Sequence, residues 1–532
     1  MMDRRTFLRE SGLLLAASGL TGYLTSCDSG FQIPCLGPAP PPSPQSGMTY
    51  IRASEIGCAL DCDLRNGRNK YTGGAATDDA ARINAAMAAA SATNPITLII
   101  DGSASISGLF LPAGGNWHIA GLGCGTGFFV KTGSNNDGIH NGPPDAGAPS
   151  DPGPPAPARS QNVSLKNFTV NGNQGTGRQG DSTTGKQQGA IDRWYCGINL
   201  MNLDNILLER VVVVNTPSYH VRFSNVGNVT VSGCVLKSRG PSTDGLHFDG
   251  PVNDITIDDC DFTTDDDSIA LNCPEGYSGD ISRVAVSNCT FSGLSLMRLY
   301  TTNGSPAKFS IDAVIVSNCR GRASEAAFLL GVTNGSAANS IASLSISDCV
   351  FQGPAVIGVA ENFGSIVLKK VSFVPSASTL GWVEPQPNHI CAFVRPSPLY
   401  GGVTSVGSSL AFENCRIYRN GTIEALALIL EHDSVIQTLV FNGFSVEGAV
   451  PELLDIGGGE IQKFVIHSID SSRIAAPVSP GGFSGVGLVS GTGVLATGWE
   501  FPDAVMADGV AYVSANSGLP SIKHEGSVTP YP

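Results

Sequence analysis

The chain has 532 residues, 14% charged and 42% hydrophobic, with 65 glycines and a formal net charge of −14. Such acidity argues against a nucleic-acid partner and against a groove tuned throughout for highly anionic polymers, although local Arg and His can override it at one site. Few charges and many glycines fit an exported single-domain scaffold with many tight turns.

In chain order, Arg4-Arg5 with Phe7-Leu8, followed by the apolar run 12–24, resembles a twin-arginine export signal. The run is too short for a dependable membrane span. It ends in Leu24-Thr25-Ser26-Cys27, which resembles a bacterial lipoprotein signal in which Cys27 becomes the lipidated first residue. An ordinary cleaved signal is the alternative, and the resemblance leaves the membrane leaflet open. The expected organisation is a signal over 1–27, a Pro/Ser/Gly-rich tether over 28–47 and one domain over 48–532. The product is then a lipoprotein exported by the twin-arginine route, periplasmic or at the cell surface.

Cys58 and Cys62 stand close enough for a local disulfide in an oxidising compartment. Thr77-Asp78-Asp79 before an alanine-rich run is a helix start. A helix there would cover the open end of a solenoid, where strand edges are otherwise unpaired. The Pro/Gly-rich stretch 141–160 reads as an excursion loop.

From there a pattern of apolar–x–apolar–x–x–(Cys or apolar) recurs, ending at Cys234, Cys260, Cys289, Cys319, Cys349 and Cys415, with weaker copies at Phe168, Val211, Val371 and Phe444. Most spacings fall between 22 and 30 residues, and the two longer gaps are expected to hide one further copy each. A period of this size, with short strand-like alternation and Asn, Gly, Ser and Asp between, predicts a solenoid of β-strands. The fold class is all-β: a right-handed parallel β-helix with an N-terminal capping helix. Core coils run over about 95–450, with irregular coils and a cap over 451–532. Successive coils stack roughly 4.8 Å apart. The cysteines are expected to fill one interior slot on successive coils, as small buried hydrophobes. No Cys-x-x-Cys zinc spacing occurs.

Two acidic segments, Ser242–Gly245 and Thr264–Ser268, fall on adjacent coils. Aligning the strands that begin at Val221, Leu246, Ile269 and Leu294 puts Tyr219, Asp244, Asp267 and Ser292 in one column. Asp266 then lies beside Asp267. The outward column of the strand holds Arg222, His247, Ala270 and Ser295. Arg298 points inward in this register, so the strand is expected to bend and release it. Crowded carboxylates cannot all ionise, so one is held as an acid while another stays a base. Cleavage of a glycosidic bond needs that pair. A polar turn is the bland alternative, and a calcium site at Asp265, Asp266 and Asp267 is a third reading.

Asn215–Val221, S-T-D-G at 242–245 and D-D-S-I-A-L-N from Asp266 together resemble the polygalacturonase-like glycoside hydrolases, family 28, of the pectin-lyase-like β-helix superfamily. The resemblance covers about residues 160–325, and the segment Thr77–Ala90 is similar to that superfamily's N-terminal cap. It implies hydrolysis with inversion, with Asp266 as general acid and Asp244 and Asp267 holding and activating water. His220, Arg222, His247, Arg298 and Tyr300 become substrate-binding candidates. The family's Gly-His-Gly corresponds to Ser292-Gly293, and its Arg-Ile-Lys has only Arg298-Leu299-Tyr300 as a counterpart. Glu325, one coil further on, is a spare acid.

The expected partner is therefore a polysaccharide or oligosaccharide, with the membrane reached through a lipid anchor, no nucleic acid and no cofactor. The alternatives are a calcium-dependent lyase or epimerase, with Arg222, Arg239 or Arg298 as its base, and a non-catalytic glycan-binding or adhesive β-helix. The last predicts aromatic rows, and aromatics are only 7% of the chain.

Overall fold

The computed structural model describes residues 34, 37–123, 125–143, 148–149, 154–174, 191–192, 195–240, 242–301, 309–331, 340–377, 391–397, 404–418, 423, 425–430, 434–447, 450–455, 459–470, 474–478, 483–490, 504–507 and 510–513. The chain divides into two compact units, Met1–Pro34 and Cys35–Pro532, and the fold described is that of the second. Arg4, Arg5 and Cys27 lie outside the described residues, as does most of the segment after 490.

The second unit is a parallel β-helix. Each central coil contributes a strand to every wall: Leu246–Asp258 and Asp261–Thr263, then Asp267–Asn272, Ile281–Ser287 and Thr290–Gly293, then Ser295–Tyr300, Ser310–Ser317 and Arg320–Ala323. Equivalent strands of consecutive coils pair in parallel, as with Val284↔Val314 and Val314↔Leu344. Parallel pairing starts at Thr49–Arg52 on Ile96–Ile100 and continues to Phe483–Ser490, further along the chain than the repeat is visible in sequence. Antiparallel pairs at Val510–Val513 then end it.

Alternation supplies the core: Ile255, Ile257, Val284, Val286, Val314 and Val316 face inward and are buried. Phe223 and Phe248 stack at 4.7 Å between ring centres. The cysteines form the expected interior column. Cys234, Cys260, Cys289, Cys319, Cys349 and Cys415 are all buried and free, and Cys289, Cys319 and Cys349 donate to the carbonyl two residues earlier at 3.1, 3.3 and 3.0 Å. Cys58 and Cys62 are also free thiols, so the suggested disulfide is not made.

The residue before each column position is left-handed: Asn167, Arg210, Gly233, Asp259, Asn288, Asn318, Asp348, Lys370, Asn414 and Gly443 all have φ between 50° and 83°. Asn, Asp and Gly tolerate that region best, which accounts for their place before the cysteine. A second left-handed corner carries Asn116, Asn162, Asn205 and Asn228, whose side chains hydrogen-bond in a ladder at 2.6–3.2 Å.

The long gaps in the repeat hide no further copy. The amide of Val212 donates to Phe168 O, and that of Arg416 to Val371 O, so each pair belongs to neighbouring coils. Each gap is one coil with an enlarged corner.

The helix Ala80–Met87 buries Ala80, Ile83 and Met87 against the core. Asn84 completes the cap: its Nδ2 donates to Gly108 O at 3.2 Å and its Oδ1 accepts from the Phe110 amide at 2.9 Å. Phe110 is in the strand Leu109–Leu111 and Gly108 just before it, so the helix satisfies backbone that no other coil pairs among the described residues.

Candidate active site

The strand Leu246–Asp258 pairs with both neighbours in the expected register: Val221↔Leu246 and Leu246↔Ile269. Asp244 therefore lies under Asp267, and the Gly245 amide donates to Asp267 O at 2.9 Å. One carboxylate oxygen each from Asp244, Asp266 and Asp267 falls within 4.8 Å of the others. Asp265 does not join them; it turns to Arg239 Nη1 at 2.7 Å and the Gly240 amide at 2.8 Å. The proposed calcium set 265–267 is thereby broken, because Asp244 is the third member of the cluster.

The next coil corrects the expected alignment. Ile269 pairs with Met297, not Leu294, and Asp267 pairs with Ser295. Three residues, Ser292 to Leu294, belong to the preceding strand and corner, where Ser292 pairs with Thr263. Ser295 thus takes the place expected for Ser292, and Arg298 takes the place expected for Ser295. Arg298 points outward by plain alternation, with Met297 and Leu299 buried on either side. No bend is needed to release it.

The cluster's electrostatics follow from burial. Asp267 is 0% and Asp244 is 4% exposed, whereas Asp266 is partly open. Burial pushes Asp266 well above the ordinary carboxylate range, and the charges of Asp244 and Asp267 add to this. The Ser242 amide at 3.0 Å and Arg298 oppose the shift without cancelling it. Burial likewise raises Asp267, to about 6, moderated by Arg298 and by the Ser295 hydroxyl. Arg298 Nη1 stands 3.7 Å from Asp267 Oδ2, and its guanidinium lies 5.1 Å over the Tyr300 ring, with 20% of the side chain exposed. An acid whose ionisation is disfavoured, set beside further carboxyl groups, is an arrangement that acid/base catalysis can use.

The remaining candidates are placed differently from expectation. Arg222 and His247 are in the column beside the carboxylates, but both are buried rather than open to a groove. Arg222 pairs with Asp249 at 2.7 Å. His247 Nδ1 is 2.6 Å from Asp244 Oδ2, and its Nε2 is 3.0 Å from Asp249 and 2.9 Å from Glu275. Tyr219 stacks on the imidazole at 3.8 Å with the planes 10° apart. His220 is also buried; its Nδ1 donates to the Asp244 carbonyl at 2.7 Å, and burial lowers it to about 4, so it is a neutral prop for the backbone. Of the substrate-binding candidates, Arg298 is the one with an open side chain. Glu325 is buried, accepting from Ser397 Oγ at 3.2 Å.

Asp249 and Glu275 were missed. Asp249 was legible, since it lies two residues beyond His247 on one strand and so shares its face. Glu275 comes from a turn after Asn272, where no periodicity applies.

Residues 150–347, the segment that holds all three aspartates, match the profile of Glycosyl hydrolases family 28. No curated protein matches the chain. Among solved structures, the exopolygalacturonase of Thermotoga maritima aligns over 77% of this chain and 94% of its own at 12% identity, with a TM-score of 0.51. The family 28 exopolygalacturonase of Yersinia enterocolitica aligns over 83% and 78% at 12% identity, with a TM-score of 0.48. The Streptococcus pneumoniae surface protein and adhesin PfbA aligns over 84% and 99% at 11% identity, with a TM-score of 0.39. At these identities the likeness to the first is one of fold.

Proposed function

We propose that this glycoside hydrolase cleaves a glycosidic bond of a polysaccharide or oligosaccharide, with Asp266 protonating the leaving oxygen and Asp244 and Asp267 activating water. The observation that carries the reading is the contrast inside the cluster. Asp266 is the member with a partly open side chain, where a leaving oxygen can reach it, and its ionisation is disfavoured by burial and by the charges of Asp244 and Asp267.

Inversion rests on the family resemblance and on burial, since the carboxyl oxygens, within 4.8 Å of one another, stand closer than the roughly 6.5–9.5 Å usual for inverting pairs. A retaining mechanism needs one carboxylate to touch the anomeric carbon. Asp267 and Asp244 are too deeply buried for that, whereas a water molecule is small enough to lie between them and the sugar. Elimination is less well supported, because each candidate base is already tied to an acid: Arg222 to Asp249, Arg239 to Asp265 and Arg298 to Asp267.

Export by the twin-arginine route and lipidation at Cys27 complete the proposal, on the strength of the N-terminal motif alone. Among the described residues no helix is long and apolar enough to cross a membrane. Cys27→Ala should release the protein from the membrane fraction.

The enzymatic test is a polysaccharide panel followed both by reducing ends and by unsaturated-uronide absorbance. New reducing ends without ultraviolet absorbance, abolished in Asp266→Asn, are expected. Calcium-dependent absorbance would overturn hydrolysis, and proton NMR of the first-formed anomer decides between inversion and retention.

A further inference from the structure

We infer that His247 is a positioning residue, a buried imidazolium clamped by Asp244, Asp249 and Glu275 that fixes Asp244 in orientation and keeps the carboxylate cluster in its working charge state. Its consequence for rate rests on the hydrolase reading; its charge does not.

The geometry favours the charge. An ionised carboxylate only accepts hydrogen bonds. Both ring nitrogens of His247 stand 2.6–3.0 Å from carboxyl oxygens, so with Asp244 and at least one of Asp249 and Glu275 ionised both carry a proton. The ring is 1% exposed, and no solvent replaces a lost partner. An imidazolium in such a place needs several anions around it. They arrive from three places: Asp244 from the turn before its strand, Asp249 from the same strand, and Glu275 from the turn that follows the strand Asp267–Asn272 on the next coil. Tyr219, one coil below, holds the ring plane by stacking. Arg222 faces the same Asp249 from below, and Asp267 and Arg298 lie above.

Charge counting shows what the imidazolium does. Five carboxyl groups occupy the site: Asp244, Asp249, Asp266, Asp267 and Glu275. Three cations face them: Arg222, His247 and Arg298. With Asp266 protonated, four anions meet three cations. Without the imidazolium, four would meet two, and a further carboxyl would take up a proton to relieve the repulsion. That proton would silence a base the reaction needs. Glu275 is the most exposed of the clamp's acids, with 21% of its side chain open, so it also couples the clamp to solvent.

Two measurements test the inference. Nitrogen-15 spectra of the histidine-labelled wild-type protein should show the His247 ring, assigned by ring-to-backbone correlation, protonated at both nitrogens up to pH 8. A neutral ring at pH 7 overturns the assignment, whether or not the protein is a hydrolase and whether or not any variant folds. In the second, His247→Gln should lower kcat about 100-fold with KM within about twofold, as for loss of a group that orients an acid/base pair. The acidic limb of its pH profile should move up by about one unit, since a cation that favoured ionised carboxylates is gone. A raised KM with unchanged kcat would make His247 a substrate contact, and an equal loss at every pH would make it merely structural; either result refutes the inference.

Discussion

Asp267 accepts a hydrogen bond from the Ser295 hydroxyl at 2.6 Å, across the boundary between two coils. The bond favours the ionised carboxylate, in a place where burial favours the neutral acid. Its existence depends on the three-residue shift that brings Ser295, and not Ser292, above Asp267.

The pH profile follows from the two raised acids. In the proposed mechanism Asp267, near 6, is ionised to activate water, so the rate should fall as pH drops below about 6. Asp266 must be protonated, so the rate should fall again at higher pH, where its raised group ionises. Removing the Ser295 hydroxyl deprives Asp267 of a charge-stabilising bond worth about 1.5–3 kcal/mol, one pH unit being about 1.4 kcal/mol. Ser295→Ala should therefore shift the acidic limb upward by about one unit, read from kcat/KM against pH. An unmoved limb would mean that Asp267 does not set it.

Asp266→Asn should lower kcat by about 10²–10⁴-fold, the usual contribution of a general acid. Its effect on stability should have the opposite sign. A carboxyl whose folded pKa is raised is favoured while protonated, and that contribution is lost as pH rises. Asparagine has nothing to ionise, so the melting temperature of the variant should overtake the wild type's above neutral pH. Calorimetry at pH 5 and pH 8 measures both ends.

Glu361 offers a test of linkage away from the catalytic cluster. It is 0% exposed, accepts hydrogen bonds from the Thr301 hydroxyl and amide, and is pushed up to about 8 by burial. The folded state therefore binds a proton that the unfolded chain has released between the ordinary Glu pKa and about 8, and stability falls as pH rises through that window. Glu361→Gln keeps an acceptor for Thr301 without the charge. It should flatten the decline, removing on the order of 4 kcal/mol of pH-dependence between pH 5 and 8 in denaturant titrations.

The left-handed corners give a backbone prediction. Asn318 has φ of 50° and donates to Asn288 Oδ1 at 2.6 Å. Asn318→Val puts a β-branched side chain into that region and removes the side-chain bond. It should destabilise the fold by about 1–2 kcal/mol while leaving kinetic constants unchanged, because the corner is on a different wall from the site.

The coil stack was readable in sequence because inward residues, the left-handed corner and the cysteine column all recur with one period. Asp244 under Asp267 followed directly from it. What failed was the step from Asp267 to Arg298. A constant offset between strand starts assumes a constant corner, and Ser292–Leu294 lengthens that corner by three residues without any marker in composition. The depth of the site was also hidden. Alternation puts Arg222 and His247 on the outer face, but only neighbouring acids such as Asp249 and Glu275 show that this face is sealed there. The enlarged coils between Phe168 and Val211, and between Val371 and Cys415, misled for a related reason, since spacing alone cannot tell a long corner from a missing strand.

From Asn162 to Asn318 two corners of each coil are single left-handed residues, and such a corner has no room for added chain. The extra residues of the enlarged coils fall in sequence between the described strands, next to the strand wall that carries the aspartates. Loops there can lengthen, shrink or be replaced while Asp244 stays under Asp267. What the enzyme does to a bond and which chain it accepts are thus inherited through separate parts of the same coil, and selection can rewrite the second without touching the first.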